Sequence, residues 1–504
     1  MSTVKHEPTL EQKAIVEAFK TEKLLKIQAY SGASKSTTMV LLAEDNIAPS
    51  IYLAFNKAIA DDAKGKFPDH VTCKTVHSLA YASFGSKLSK KLTRDRGTKY
   101  VNVAGTPSEI VKFYSIPSLM KANGVLESRA IATLVKRTVG NYQNSAEDVI
   151  SGTHIPKHEL DEILNAHSDV NKDDLVTKIL YYSNRLWSDR IDTNSVVLAE
   201  HDTYLKLWQL SKPQLPYDII YGDEFQDVVP VMLDVILNQK HAKVCVCGDE
   251  NQNIYSWKGT VNAMQSIECK TLPLSKSFRF GQDIADLANT VFSNKISMVG
   301  YEERTSKVGW VNSTNYTHIF RTNGALLAEL IDLIGKGRRV KALVDTRKFE
   351  SMLRSAFALR TGKGVVKDED ITLYSTWAEL VEESNDDPEL ARLVNIINKR
   401  KTFEYLDVIS RMKSAPKEYD VLLVTAHKSK GLEWDNVIIG DDFDVKYLIA
   451  KEGDYEYNLA ELNLMYVAFT RAKKVVQLPD QIRGWYSNSK NRTVEDEFWW
   501  MDEE

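Results

Sequence analysis

Short apolar runs recur along the whole chain, and each ends in a polar or glycine-containing turn. They are Leu24–Ala29, Ile51–Phe55, Val71–Thr75, Tyr217–Tyr221, Lys243–Cys247, Leu272–Leu274, Thr317–Phe320, Val340–Val344, Val421–Val424 and Val437–Ile439. Runs this short, rich in Val, Ile and Leu, fit strands buried on both faces of a parallel sheet. Helical stretches such as Lys35–Ala43, Ala58–Lys64 and Ala325–Leu333 separate many of them. The alternation predicts an α/β fold with parallel sheets, in which ligands gather at the carboxyl ends of strands. At 504 residues the chain has room for several domains of about 150 residues.

Two regions break the alternation. Residues from about 81 to 210 read mostly as helix, with Pro107–Phe113, Glu127–Val139, Lys157–Asn165 and Lys172–Trp187 as segments. Thr106 suits the cap of the first, and Pro107 its first position. Residues from about 346 to 417 form a charge-rich block with helix-like Ala378–Ser384, Pro388–Arg400 and Tyr405–Lys413. Both read as insertions into α/β cores. A tail of acids (Glu495, Asp496, Glu497, Asp502, Glu503, Glu504) surrounds Phe498, Trp499 and Trp500; it reads as a solvated end or a docking tail.

Composition excludes several classes. The net charge of −4 rules out a polycation that coats DNA non-specifically, though not a local basic groove. No stretch approaches the roughly 20 apolar residues of a membrane span, and Met1–Glu22 lacks an apolar signal core. A cytoplasmic protein, nucleoid-associated or nuclear according to host, is expected, with no membrane partner. Cys73, Cys245, Cys247 and Cys269 are too few to staple the chain. Cys245-Val246-Cys247 reads as a buried strand pair rather than a zinc half-site, because no second pair follows at ligand spacing.

The chemistry starts at Ala29-Tyr30-Ser31-Gly32-Ala33-Ser34-Lys35-Ser36-Thr37, between a strand and a helix. Backbone N–H groups of such a turn and the following helix N-terminus cradle phosphate. Lys35 would reach the outer phosphates, and the Ser36 hydroxyl would ligate Mg2+. Ala29 and Ser34 stand where the phosphate-loop pattern has glycine, and Ser34 is expected to crowd the ligand or strain the turn. Alone, the segment reads equally as a serine-rich turn.

Gly222-Asp223-Glu224-Phe225-Gln226-Asp227 follows the run Tyr217–Tyr221 and tips the balance. Asp223 suits magnesium, and Glu224 suits polarising the water that attacks the γ-phosphate. Gln252, in Gly248-Asp249-Glu250-Asn251-Gln252 after the run Lys243–Cys247, suits sensing that phosphate or positioning water. Arg279 and Arg471, in the second core, read as arginine fingers that reach across a cleft to the transition-state charge.

In order, these elements resemble the UvrD/Rep family of superfamily 1A DNA helicases, from Leu10 to about Lys474. Tyr52-Leu53-Ala54-Phe55-Asn56-Lys57 and Thr75-Val76-His77-Ser78-Leu79-Ala80 are closest in wording to F-box DNA helicase relatives, although no F-box segment is apparent. The resemblance implies two RecA-like cores with parallel sheets, each carrying a largely helical insertion. Core 1A would comprise 1–80 and 211–278, insertion 1B 81–210, core 2A 279–345 and 418–490, insertion 2B 346–417, and the tail 491–504. It implies ATP and Mg2+ as cofactors. Gln12 would read the adenine edge, Phe278 would stack on the base in place of a tyrosine, and Glu433, after Gly431, would contact the ribose.

It further implies a track for single-stranded DNA. Phe55, Asn56, Lys57, Thr75 and His77 would line it on the first core. Tyr255, Trp257 and Lys258 belong to an aromatic element on which bases stack, and Asn323, Thr425 and His427 to the second core's contacts. Phe55 and Trp257 also read as plain core residues. Stacking serves a motor on any sequence because every base has a π-face. Lys87, Lys90, Lys91, Arg94, Arg96 and Lys99 form a basic run that reads as a solvated face or a grip on duplex phosphates at a single-strand/duplex junction.

The expectation is an ATP-driven translocase that separates DNA strands, with 3′→5′ travel implied by the resemblance alone. The rival is a weakly hydrolysing remodeller that strips proteins from DNA without processive unwinding. A small-molecule P-loop kinase is a distant third, with no visible acceptor pocket. Protein loaders or recombination and replication partners fit either of the first two readings. Stacking and phosphate contacts do not separate RNA from DNA. No nuclease carboxylate cluster is visible.

Overall fold

A computed structural model describes residues 7–54, 56–92, 105–121, 124–126, 128–166, 170–254, 262–344, 346–368, 371, 374, 376–384, 388–399, 418–454 and 457–491. Contacts divide the chain into two compact units, Met1–Ala29 with Lys35–Leu274 and Tyr30–Ser34 with Ser275–Glu504. Each is built on a six-stranded sheet in which all pairings are parallel. Both are RecA-like α/β cores.

The strands of the first unit are β1 (Leu24–Ala29), β2 (Ser50–Ala54), β3 (Val71–Thr75), a small antiparallel hairpin of β4 (Leu119–Lys121) and β5 (Gly124–Leu126), β6 (Ile219–Gly222), β7 (Lys243–Gly248) and β8 (Lys270–Leu274). The sheet order is β3-β2-β6-β7-β1-β8. β2 and β6 are buried at every position, as expected of strands covered by helices on both faces. Cys245 and Cys247 lie fully buried in β7 as free thiols.

Helices Pro107–Tyr114, Ser128–Asn144, Lys157–Ala166 and Lys172–Ile191 form the first insertion around their own core, which includes Ile110, Leu134, Ile179 and Leu186. Thr106 caps the first helix in a capping box with Glu109, and Pro107 opens it. The hairpin β4–β5 interrupts what the sequence suggests is helix throughout. Lys91, read as part of a solvated basic run, is instead buried: its Nζ donates to the Asp189 and Asp192 carbonyls at the end of helix Lys172–Ile191. Arg94, Arg96 and Lys99 lie outside the described residues.

The second unit contains β9 (Lys307–Val308), β10 (Tyr316–Phe320), β11 (Val340–Ala342), β12 (Val421–Thr425), β13 (Trp434–Ile439) and β14 (Ala472–Gln477), in the order β11-β12-β10-β13-β14-β9. β14 escapes a search for apolar runs because Lys473 and Lys474 interrupt it. Both lysines pair with Asp435 of the neighbouring strand, at 3.2 and 2.7 Å. Helices Thr346–Thr361, Trp377–Glu383 and Pro388–Lys399 of the second insertion do not enclose a separate core. Leu353, Leu380, Leu393 and Ile397 pack into the same cluster as Leu326, Leu330, Val421 and Leu423. The expected helix Tyr405–Lys413 and the tail 491–504, apart from Asn491, lie outside the described residues. Among the described residues no helix is long and apolar enough to cross a membrane.

Candidate functional site

The phosphate-loop segment leaves β1 at Ala29, turns through Tyr30–Ser34 and enters helix Lys35–Asp45. Gly32 has φ +79°, and a Cβ there would lie 2.5 Å from Ser277 Oγ and 2.8 Å from Arg279 Cβ, so only glycine fits. Ala33 N–H closes the turn on the Tyr30 carbonyl at 3.0 Å. Ser34 adopts φ +56°, a left-handed conformation costing a non-glycine residue about 1–2 kcal/mol. The strain expected from sequence at this position is therefore present. Ser36 and Thr37 stand exposed on the first turn of the helix.

Within the first unit, Lys35 and the paired carboxylates meet. Lys35 Nζ lies 2.7 Å from Glu224 Oε1. Burial pulls the lysine's pKa down, but the Glu224 and Asp223 carboxylates outweigh it and hold the ammonium above its ordinary range. Asp223 is 7% exposed, accepts a hydrogen bond from the Tyr52 hydroxyl and takes the Glu224 N–H at 2.9 Å. Burial, then the Glu224 charge, raise its pKa; Lys35 and Tyr52 pull it back. Glu224 itself sits at φ +50°, a second strained non-glycine residue at the strand end.

Gln252 joins this group through Gln226 and Asp249. Gln226 Nε2 donates to Glu224 Oε2 at 2.5 Å, and its Oε1 accepts the Asp249 N–H at 3.1 Å. Asp249 Oδ2 in turn accepts from Gln252 Nε2 at 2.8 Å. A Cβ at Gly248 would meet Gln226 Oε1 at 2.4 Å, so any other residue there would displace the Gln226 amide from this chain of hydrogen bonds. Tyr52 lies within β2, and Gln226 and Asp249 follow β6 and β7; closeness to the acidic strand end is the signal the sequence offers, and it does not single out which neighbour orients a carboxylate.

Within the second unit, Arg279 and Arg471 converge on the turn Tyr30–Ser34. Arg279 Nη1 donates to Ser31 Oγ at 2.8 Å and to the Thr470 carbonyl at 3.0 Å, and its Nε to Glu433 Oε2 at 2.8 Å. Arg471, 1% exposed, donates from Nη2 to Ser31 Oγ at 3.0 Å and from Nε to the Val467 carbonyl at 2.7 Å. Glu433, expected at a ribose, is thus the ion-pair partner of Arg279. Phe278 is half-buried, with its ring 5.2 Å from that of Tyr301, an aromatic the sequence did not single out. Gly431 has φ +80°. In the first unit, Gln12 is committed locally: its Oε1 accepts the Thr9 N–H and its Nε2 donates to Thr38 Oγ1, both at 3.0 Å.

The expected DNA contacts emerge at neighbouring strand ends. Ala54 of β2 pairs with Thr75 of β3, which brings Asn56 and Lys57 beside Thr75 and His77. Asn56 and Thr75 also serve as helix N-caps, accepting from the Ile59 and Ser78 N–H groups. A cavity of about 310 Å³ is lined by Thr75, His77, Asp202, Asp223, Phe225 and Asp227 among others, so one void touches both residue sets. In the second unit, Phe320 of β10 pairs with Thr425 of β12, which places Asn323 and His427 at adjacent ends. Asp442 fixes the first of these turns by accepting the Arg321 and Thr322 N–H groups at 3.0 and 2.7 Å. Phe55, Tyr255, Trp257 and Lys258 lie outside the described residues.

Two family models match the chain: the UvrD/REP helicase N-terminal domain over residues 11–268 and the UvrD-like helicase C-terminal domain over 303–478. F-box DNA helicase protein 1 of Schizosaccharomyces pombe is 31% identical over 95% of this chain and 58% of its own length. F-box DNA helicase 1 of Gallus gallus is 29% identical over 91% and 47%. ATP-dependent DNA helicase PcrA of Staphylococcus epidermidis is 20% identical over 75% and 54%. The chain spans about half the length of these curated relatives.

Proposed function

We propose that this chain, a member of the UvrD/REP helicase family, is an ATP-dependent DNA helicase that moves 3′→5′ on single-stranded DNA. The observation that carries the reading is the Lys35–Glu224 contact of 2.7 Å beside Asp223, at the end of β6. A half-buried, firmly protonated lysine is suited to phosphate, and a carboxylate held in place by Lys35 and Gln226 is suited to orienting water. Ser36 and Asp223 offer hard oxygen donors of the kind magnesium selects, and a bound Mg2+ would supply charge neutralisation at the phosphates. Arg279 and Arg471, which donate to Ser31 of the turn Tyr30–Ser34, fit the stabilisation of developing negative charge.

The relatives' names support DNA as the substrate and ATP as the fuel. Travel along the strand would come from nucleotide-driven change in how each core holds DNA, through differential affinity for two conformations. Asn56, Lys57, Thr75 and His77 are the contacts proposed on the first core, and Asn323, Thr425 and His427 those on the second. The test is ATP hydrolysis with and without single-stranded DNA, for the native chain, Lys35→Ala and Glu224→Gln. Strong stimulation lost in both variants supports the reading; full turnover in either removes the site assignment.

One observation favours a second reading. Ser34 at φ +56° strains the turn that must approach phosphate. A slow ATPase that strips proteins from DNA without processive unwinding fits that strain, and filament displacement without strand separation is its signature.

A further inference from the structure

Ser31 is a buried serine with both faces of its role visible. Its side chain is 1% exposed, and its backbone N–H donates to the Tyr466 hydroxyl at 3.1 Å. Its Oγ accepts from Arg279 Nη1 at 2.8 Å and from Arg471 Nη2 at 3.0 Å. A serine hydroxyl has two acceptor lone pairs, and here two cationic groups use them. Hydrogen bonds from charged donors are the strong kind, and they fix the orientation of a planar guanidinium.

The surroundings leave the two head groups little alternative. Gly32 allows Arg279 to lie against the turn, and the Phe278 N–H donates to the Gly32 carbonyl at 2.9 Å. Thr470 braces both, its carbonyl taking Arg279 and its Oγ1 taking Arg471 Nη2 at 3.0 Å. All these residues belong to one compact unit. The turn carries the anchor of both arginines one step before it carries the phosphate-binding backbone.

We infer that Ser31 is the positioning residue for Arg279 and Arg471, its single oxygen setting where both guanidinium groups stand relative to the phosphate-loop turn. The inference deepens the proposed ATP site and rests on that reading for its kinetic part. Loss of the oxygen leaves both side chains in place but unaligned, so transition-state stabilisation suffers more than ground-state binding.

The experiment uses the full chain with ATP, Mg2+ and single-stranded DNA. Ser31→Ala should lower kcat roughly tenfold with KM for ATP changed less than about twofold. Ser31→Cys, which fills the same space with a poor acceptor, should match Ser31→Ala, and Ser31→Thr should restore much of the rate. Combining Ser31→Ala with Arg471→Lys should cost little beyond the larger single effect. Additive losses, or a Ser31→Cys enzyme as fast as native, overturn the inference. A nucleotide-free readout separates its failure from that of the ATPase reading. Slow proton exchange at the Arg279 and Arg471 guanidinium groups, followed by nitrogen-15 NMR, should be lost in Ser31→Ala. Unchanged exchange in that variant overturns the inference even if ATP turnover is high.

Discussion

At Ser34 the chain holds a hydroxymethyl side chain in left-handed backbone space that glycine occupies without cost. Ser34→Gly should therefore raise ATP turnover or tighten nucleotide binding several-fold, in line with relief of about 1–2 kcal/mol of strain. Steady-state kinetics and nucleotide titration check this, and an unchanged pair of constants means the serine is harmless. Tyr52 makes a complementary case. Its hydroxyl stabilises ionised Asp223, which burial and Glu224 push toward the protonated form. Removing that donor in Tyr52→Phe raises the Asp223 pKa further, so the carboxylate is lost at a higher pH on acidification. The acid limb of the ATPase profile should move to higher pH, with a higher Mg2+ requirement at low pH. A profile that superimposes on the native one removes Asp223 as the metal-binding acid. Lys35, Asp223, Glu224 and the arginines were legible as residues because a phosphate site demands those types at strand ends. Tyr52 and Gln226 were not, since nothing in a motif says which uncharged neighbour will orient a carboxylate.

Short elements do double duty along the proposed DNA track. Thr75 ends β3 and caps helix Val76–Ala80 in a reciprocal box with Ser78, and Asn56 caps Lys57–Ala63. Thr75→Ala should cost about 1 kcal/mol of stability through the lost cap, whereas Thr75→Ser should keep it. If the cap sets the track, DNA affinity measured by anisotropy will follow stability across the two variants. Weak binding by a stable Thr75→Ser chain would instead assign the contact to the threonine methyl. At this scale the sequence was legible where strands are uniformly apolar, as in β2, β6 and β12. It was opaque at β14, where Lys473 and Lys474 hide a strand by pairing with Asp435, and at the β4–β5 hairpin, whose three-residue strands are too short to show a period.

On the scale of the molecule, two RecA-like sheets of six parallel strands account for the alternation of apolar runs and helices. The second insertion shares the core of its sheet, so Leu353, Leu380 and Leu393 stabilise the strands that present Asn323 and Thr425. That sharing was not visible in sequence, because amphipathic helices advertise an apolar face without naming its partner. The direct measurement is ATP hydrolysis by the full chain across a titration of single-stranded DNA, followed by unwinding of duplexes with a 3′ or a 5′ tail. The account predicts hydrolysis stimulated at least about tenfold by DNA, abolished in Lys35→Ala, with opening of the 3′-tailed duplex. Hydrolysis indifferent to DNA, or surviving in Lys35→Ala, contradicts it.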